Sequence, residues 1–152
     1  RLAPPHQPSG GGGAQPQIHK LVLTGGPCGG KTTALARLSS YLQQRGYQVY
    51  TVPEASTMLL TNGCSPQFFA KEGWGNVFQE SLLKIQVALE DNFTKVAAAT
   101  GVKSVILCDR GLMDGSAYMS KGNWSEQLSR LGLSEVQIRD SRYDAVFHLT
   151  TA

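Results

Sequence analysis

Long apolar runs are absent from this sequence. No stretch approaches the roughly 18 consecutive apolar residues that a membrane-spanning helix needs, so no transmembrane segment is expected. Cysteine is scarce, with Cys28, Cys64 and Cys108 as the whole complement. An odd set without metal-type spacing excludes a disulfide scaffold and a zinc site, and it fits a reducing, cytoplasmic setting. A strong excess of one charge is also missing. Lys and Arg number 14 against 11 Asp and Glu, a formal charge of +3. That balance tolerates anionic ligands but supplies no basic stripe for nucleic acid. No internal repeat is present, which excludes a solenoid. Residues 1–17, "RLAPPHQPSGGGGAQPQ", nearly lack large apolar groups. They cannot offset their own ordering entropy and are expected to be a disordered segment. One Arg and no amphipathic pattern argue against a mitochondrial presequence. The first residue is Arg, so the chain reads as a fragment or a processed form.

Residues 18–152 have the content of one domain. Four stretches read as strands: His19–Thr24, Tyr47–Val52, Lys103–Asp109 and Asp144–Thr150. Each is short, apolar or β-branched, and bounded by Gly, Pro or a charge. Helical patterns lie between them. Lys31–Arg45 carries Leu35, Leu38 and Leu42 on one face and stops at Gly46. Asn76–Ala99 carries Phe78, Leu82, Ile85, Leu89, Phe93 and Val96 as one stripe, with Gly101 following. Ser134–Ser141 opens with a capping pattern, and Trp124–Leu131 reads as a further short helix. Alternating strands and helices predict an α/β fold, a parallel sheet with helices on both faces and right-handed crossovers. In such a sheet ligands bind beyond the C-terminal ends of the strands.

The residues after each strand therefore matter most. The first is followed by "GGPCGGKTT", and Gly25 to Thr32 satisfies G-x-x-x-x-G-K-[ST], a phosphate loop. Gly25, Gly26, Pro27, Cys28, Gly29 and Gly30 would turn backbone N–H groups toward phosphate oxygens, and the following helix adds its N-terminal dipole. Lys31 supplies a cation for the outer phosphates. Thr32 offers a hydroxyl to Mg²⁺, and Thr33 completes the loop. A plain turn with a solvated lysine is the competing reading, and the strand-loop-helix context weighs against it. Cys28 reads as a tolerated small residue, or else as a thiol activated by the amides.

Asp109 ends the third strand, either holding Mg²⁺ through water opposite Thr32 or merely closing the strand. Arg110 follows, as a phosphate fork or a surface salt-bridge residue. Glu54, in "VPEAS" after the second strand, either orients and deprotonates an acceptor hydroxyl or starts a helix. Asp114 has the same two options, substrate contact or helix start. Phe68, Phe69 and Trp74 are expected to pack into the core, with a base cover as the alternative. His19 and His148 read as packed, structural histidines, and Cys108 as a small buried hydrophobe.

"LTGGPCGGKTTALARL", "VPEAST", "CDRGLMDGSAYM" and "YDAVFHLTTA" together resemble the P-loop domain of the nicotinamide-riboside-kinase-like and TRPL-translocation-defect group, and more broadly nucleoside kinases. The resemblance spans about residues 18–152. It implies a P-loop NTPase with strand order 2-3-1-4-5, binding ATP or GTP with Mg²⁺. It also implies a catalytic set of Glu54, Asp109 and Arg110, acting on a small hydroxyl acceptor. For the TRPL-related members it implies a GTP-binding module peripheral to membranes, with a phosphoinositide and a trafficking protein as partners. The sequence departs from the group in ending after the fourth strand, without the arginine-bearing lid and fifth strand. Arg130, Arg139 and Arg142 come too early to replace that lid. A Ras-type switch would show N-K-x-D and a D-x-x-G after the third strand, and neither is present.

Overall fold

The structure is a computed structural model that describes residues 16–26 and 29–150. Residues 1–15 of the expected disordered segment, and Pro27 and Cys28 of the loop, lie outside the described residues. Gln17 is already engaged, since its carbonyl accepts the Ser104 N–H at 2.9 Å.

Four parallel strands form one sheet, β1 (Ile18–Gly25), β2 (Gln48–Val52), β3 (Ser104–Asp109) and β4 (Ala145–Leu149), in the order β2-β3-β1-β4. This is the 2-3-1-4 part of the expected order. β3 is central, with Ser104 through Cys108 buried, as an almost purely apolar strand covered on both faces should be. Leu23 pairs with Asp109, Val52 with Cys108 and Gly25 with Leu149. That register brings the C-terminal ends of all four strands to one edge.

Helix α1 (Lys31–Gln44) covers one face. Leu35, Leu38 and Leu42 pack there against Leu23, Val105 and Leu107. Gly46, at φ 77°, takes the left-handed turn that ends it. On the other face α3 (Trp74–Thr100) lays Leu89, Phe93 and Ala97 against Val22, Val52, Ile106 and Cys108. Between them, α2 (Ala55–Thr61) follows β2 directly, and a 3₁₀ turn spans Pro66–Ala70. A 3₁₀ helix (Leu112–Tyr118), α4 (Lys121–Arg130) and α5 (Glu135–Asp140) complete the chain. They share a second cluster with α3, formed by Leu83, Leu112, Trp124, Leu128 and Ile138. Ser120 and Ser134 cap α4 and α5 by accepting the Asn123 and Gln137 N–H groups. No helix among the described residues is long and apolar enough to cross a membrane.

Three expectations are corrected. The predicted stripe of α3 holds from Phe78 to Phe93, but its last member, Val96, is exposed, and the most buried positions also include Leu83, Gln86, Glu90 and Ala97. Gln86 and Glu90 take places on the buried face because they meet buried polar partners, which an apolar count does not register. His148 is exposed rather than packed, because β4 is the edge strand and its outer residues Val146 and Phe147 are likewise uncovered. Phe68 and Phe69 are 44% and 47% exposed, so they are not core. They form an aromatic group with Trp74 and Phe78 at the sheet edge, with ring centroids 4.6–6.2 Å apart.

Candidate functional site

The phosphate loop leaves β1 at Gly25, whose φ of 142° only glycine adopts readily. A Cβ there would lie 2.3 Å from the Leu149 carbonyl oxygen. Gly30, at φ 74°, is the N-cap of α1 and accepts the Ala34 N–H at 2.9 Å. Gly29 donates to the Gly26 carbonyl at 3.3 Å. Lys31 curls over the arc, its ammonium donating to the Gly25 and Gly26 carbonyls at 3.0 and 2.9 Å. It is therefore held at the loop mouth rather than trailing in solvent. Thr32 and Thr33 are exposed in the first turn of α1.

Glu54 and Arg110 converge from the ends of β2 and β3. The Arg110 Nε donates to Glu54 Oε1, and its Nη1 reaches the Gly25 carbonyl at 3.2 Å. Thr57 donates to the other Glu54 oxygen at 2.8 Å. Burial alone would push the Glu54 pKa up, but the Thr57 and Arg110 bonds outweigh it and hold the carboxyl below its ordinary range. Glu54 stands at the N-cap position of α2, yet its carboxylate turns to Arg110 and Thr57 rather than to the helix N–H groups. Arg110 is a salt-bridge residue, paired with Glu54 and about one-fifth exposed. At φ 68° it is the one non-glycine residue with positive φ among those described, a conformation costing about 1–2 kcal/mol.

Asp109 brings its carboxylate to the same edge, with Oδ1 buried and without a hydrogen-bond partner among the described residues. Burial raises its pKa first and Glu54 nearby raises it further, while Lys31 and Arg110 pull it down; the net shift is upward. A buried carboxylate oxygen lacking a partner is what a cation site requires. Mg²⁺ in phosphate sites takes only one or two carboxylates besides phosphates and waters. Thr32 and Asp109 thus fit the ion in donor chemistry.

The sign of the Asp109 shift gives a test. Its folded pKa lies above the unfolded value, so the ionised group costs stability at neutral pH, and that cost is relieved as pH falls through the folded pKa. Asp109→Asn is expected to melt at a higher temperature than the parent at pH 7, with the gap narrowing by pH 4. A lower melting temperature at pH 7 would mean that the carboxylate has a stabilising partner.

Asp114 serves the backbone. Its Oδ1 accepts from Thr24 Oγ1 and its Oδ2 from the Gly111 N–H at 2.8 Å, tying the 3₁₀ helix to the end of β1. A cavity of about 490 Å³ opens beside this cluster. Phe69, Phe78 and Leu82 form its apolar wall, and Glu54, Arg110 and Asp114 its polar end. The sequence reading missed this cavity, because its wall comes from a 3₁₀ turn and one face of α3. It also missed Thr57, Gln86 and Tyr143. The polar pair Gln86 and Glu90, spaced i, i+4 beside an apolar stripe, was the available signal.

Cys108 is fully buried, and burial first, then the nearby Glu90 charge, pushes its thiol pKa far up, so it is inert. Arg142 pairs with Glu90 and Asp91 at 2.7 and 2.9 Å, and Arg130 and Arg139 pair with neighbouring acids. The ion-pair partners of all three lie outside the loop.

A parallel sheet ordered 2-3-1-4, a glycine arc and lysine after its first strand, and an acid-arginine pair joining the next two strand ends define a P-loop domain of the kinase-like class. The chain belongs to the AAA domain family, whose family model matches residues 20–152. Among solved structures, thymidylate kinase from Ehrlichia chaffeensis is similar with a TM-score of 0.59 and 18% identity, covering 90% of this chain and 78% of that one. At that identity the likeness bears on the fold alone. No curated protein matches the chain.

Proposed function

We propose that this domain binds a Mg-nucleoside triphosphate, ATP or GTP, on the Gly25–Thr33 arc and transfers its γ-phosphoryl group to a small hydroxyl acceptor held in the adjoining cavity. The observation that carries the reading is the convergence of loop, Glu54 and Arg110. One guanidinium bridges the Gly25 carbonyl and the Glu54 carboxylate, so phosphate side and acceptor side meet at one point. The resemblance to nucleoside kinases agrees with it.

Phosphoryl transfer leaves little covalent chemistry to the protein, and positioning with charge neutralisation supplies most of the rate. The loop amides and Lys31 would hold the phosphates. Mg²⁺, held by Thr32 and Asp109, would neutralise charge developing on the phosphoryl oxygens. Glu54 accepts hydrogen bonds and has a depressed pKa, so it orients the acceptor hydroxyl rather than acting as a strong base. The cavity constrains the acceptor. Among the described residues Arg110 is the only cation in its lining, and Glu54 already engages it beside a second carboxylate, Asp114. An uncharged or cationic acceptor with an apolar body suits this wall, and a polyanionic phosphoinositide headgroup does not.

Titration of ATP, GTP and phosphoinositide headgroups, scored for binding and turnover, tests the reading. Mg-nucleotide should bind and be consumed only with a hydroxyl acceptor. Binding with no turnover for any acceptor would favour a GTP-binding trafficking module instead. Glu54→Gln is expected to keep Mg-nucleotide affinity within about twofold and lower transfer at least ~100-fold. Full transfer by that variant would remove Glu54 from the reaction.

A further inference from the structure

We propose that the buried network of Glu90, Gln86 and Tyr143 is a positioning device that fixes the left-handed backbone at Arg110 and so keeps its guanidinium on Glu54 and on the Gly25 carbonyl. Glu90 is fully buried on α3. Its Oε1 accepts from Gln86 Nε2 at 2.9 Å and from the Tyr143 hydroxyl at 2.8 Å. Both partners reach on to the segment after β3. Gln86 Nε2 also donates to the Arg110 carbonyl at 3.3 Å, and the Tyr143 oxygen accepts the Leu112 N–H at 2.9 Å. The two bonds fall on the strained residue's own carbonyl and on the N–H two residues later.

The rest of the segment is equally tied. The Arg110 N–H donates to the Leu23 carbonyl at 3.0 Å, the Gly111 N–H to Asp114 at 2.8 Å, and the Gly111 carbonyl accepts from Asp114 N at 3.1 Å. A left-handed arginine persists only where its surroundings over-determine it. Here every backbone polar group from the Arg110 N–H to the Leu112 N–H has a partner, and side chains supply three of them. Lys20 at 3.8 Å and Arg142 at 2.7 Å anchor the other Glu90 oxygen, so the carboxylate itself cannot drift. A salt bridge serving only to hold α3 against the sheet would stop at those two cations. The Gln86 and Tyr143 arms, which end on the backbone at residues 110 and 112, are what it would lack. Gly111 gives the turn no slack, since a Cβ there would meet Val22 at 3.1 Å.

The consequence for transfer rests on the function proposed above; the hold on Arg110 does not. The test follows solvent exchange of the Arg110 Nε–H and the Leu112 amide by NMR on the full chain, with Mg-ATP affinity measured alongside. Tyr143→Phe and Gln86→Leu each cut one arm, and Leu38→Ala, on the opposite face of the sheet, sets the baseline for a merely less stable fold. At least tenfold faster exchange than that baseline is expected in one or both variants, with Mg-ATP affinity within twofold of the parent. Exchange at the baseline rate in both variants, whatever their melting temperatures, would overturn the proposal. A parent chain that binds no Mg-ATP would sink the proposed function yet leave the Arg110 readout intact.

Discussion

Glu90→Ala is expected to lower unfolding free energy by about 3–5 kcal/mol, the cost of removing one partner from a buried ionic cluster. Glu90 has no solvent exposure and is the common acceptor for Arg142, Tyr143, Gln86 and, at 3.8 Å, Lys20. Its removal leaves the Tyr143 hydroxyl and Gln86 amide without their acceptor and two lightly exposed cations without their main counter-charge. Burial first, then the adjacent Glu90 charge, already pushes Tyr143 far above its ordinary pKa, so that hydroxyl stays a donor. Against a typical total of about 5–15 kcal/mol, the loss should lower the melting temperature by roughly 10–20 °C. The contrast is Glu80→Ala, which removes the surface pair with Lys84 at 2.6 Å and should change the melt little. Circular dichroism melts of the two variants check this, and equal effects would refute the difference in role.

Gly25→Ala is expected to cost about 3 kcal/mol or more, from an unfavourable backbone conformation plus a steric clash. The added Cβ would sit 2.3 Å from the Leu149 carbonyl oxygen, and the β1–β4 register that pairs Gly25 with Leu149 stops either backbone from yielding. Gly26→Ala is the control. A Cβ there meets nothing within 4 Å, so stability should stay within about 0.5 kcal/mol. Denaturant melts of both variants measure the difference. A Gly25→Ala protein as stable as Gly26→Ala would mean that the strand end is not built as described.

The sheet and the phosphate loop were legible because each left a local signature. β1 and β3 are short apolar runs stopped by a glycine and a charge, and the loop letters occur at fixed spacing between a strand and a helix. Asp109 and Arg110 could be nominated because the end of a parallel strand is where ligands meet the sheet. Their environments could not be read, since the orphaned Asp109 oxygen and the Arg110–Glu54 pair depend on residues 55 or more apart in the chain. The short helices at Lys121–Arg130 and Glu135–Asp140 were legible, but α2 was not, for a related reason. Seven residues at Ala55–Thr61 hold too few turns to show a period. The α3 face was legible only in part because counting apolar positions ignores Gln86 and Glu90, whose buried partners include Arg142 and Tyr143 some 50 residues on. His148 was misread for want of knowing that β4 is an edge.

Calorimetric titration of Mg-ATP into the parent and into Lys31→Ala tests the central claim most directly. Lys31 donates to two loop carbonyls and faces the arc that would receive the phosphates. Its removal should weaken binding at least tenfold, about 1.4 kcal/mol. Equal affinities for the two proteins would contradict the assignment of this loop as the nucleotide site.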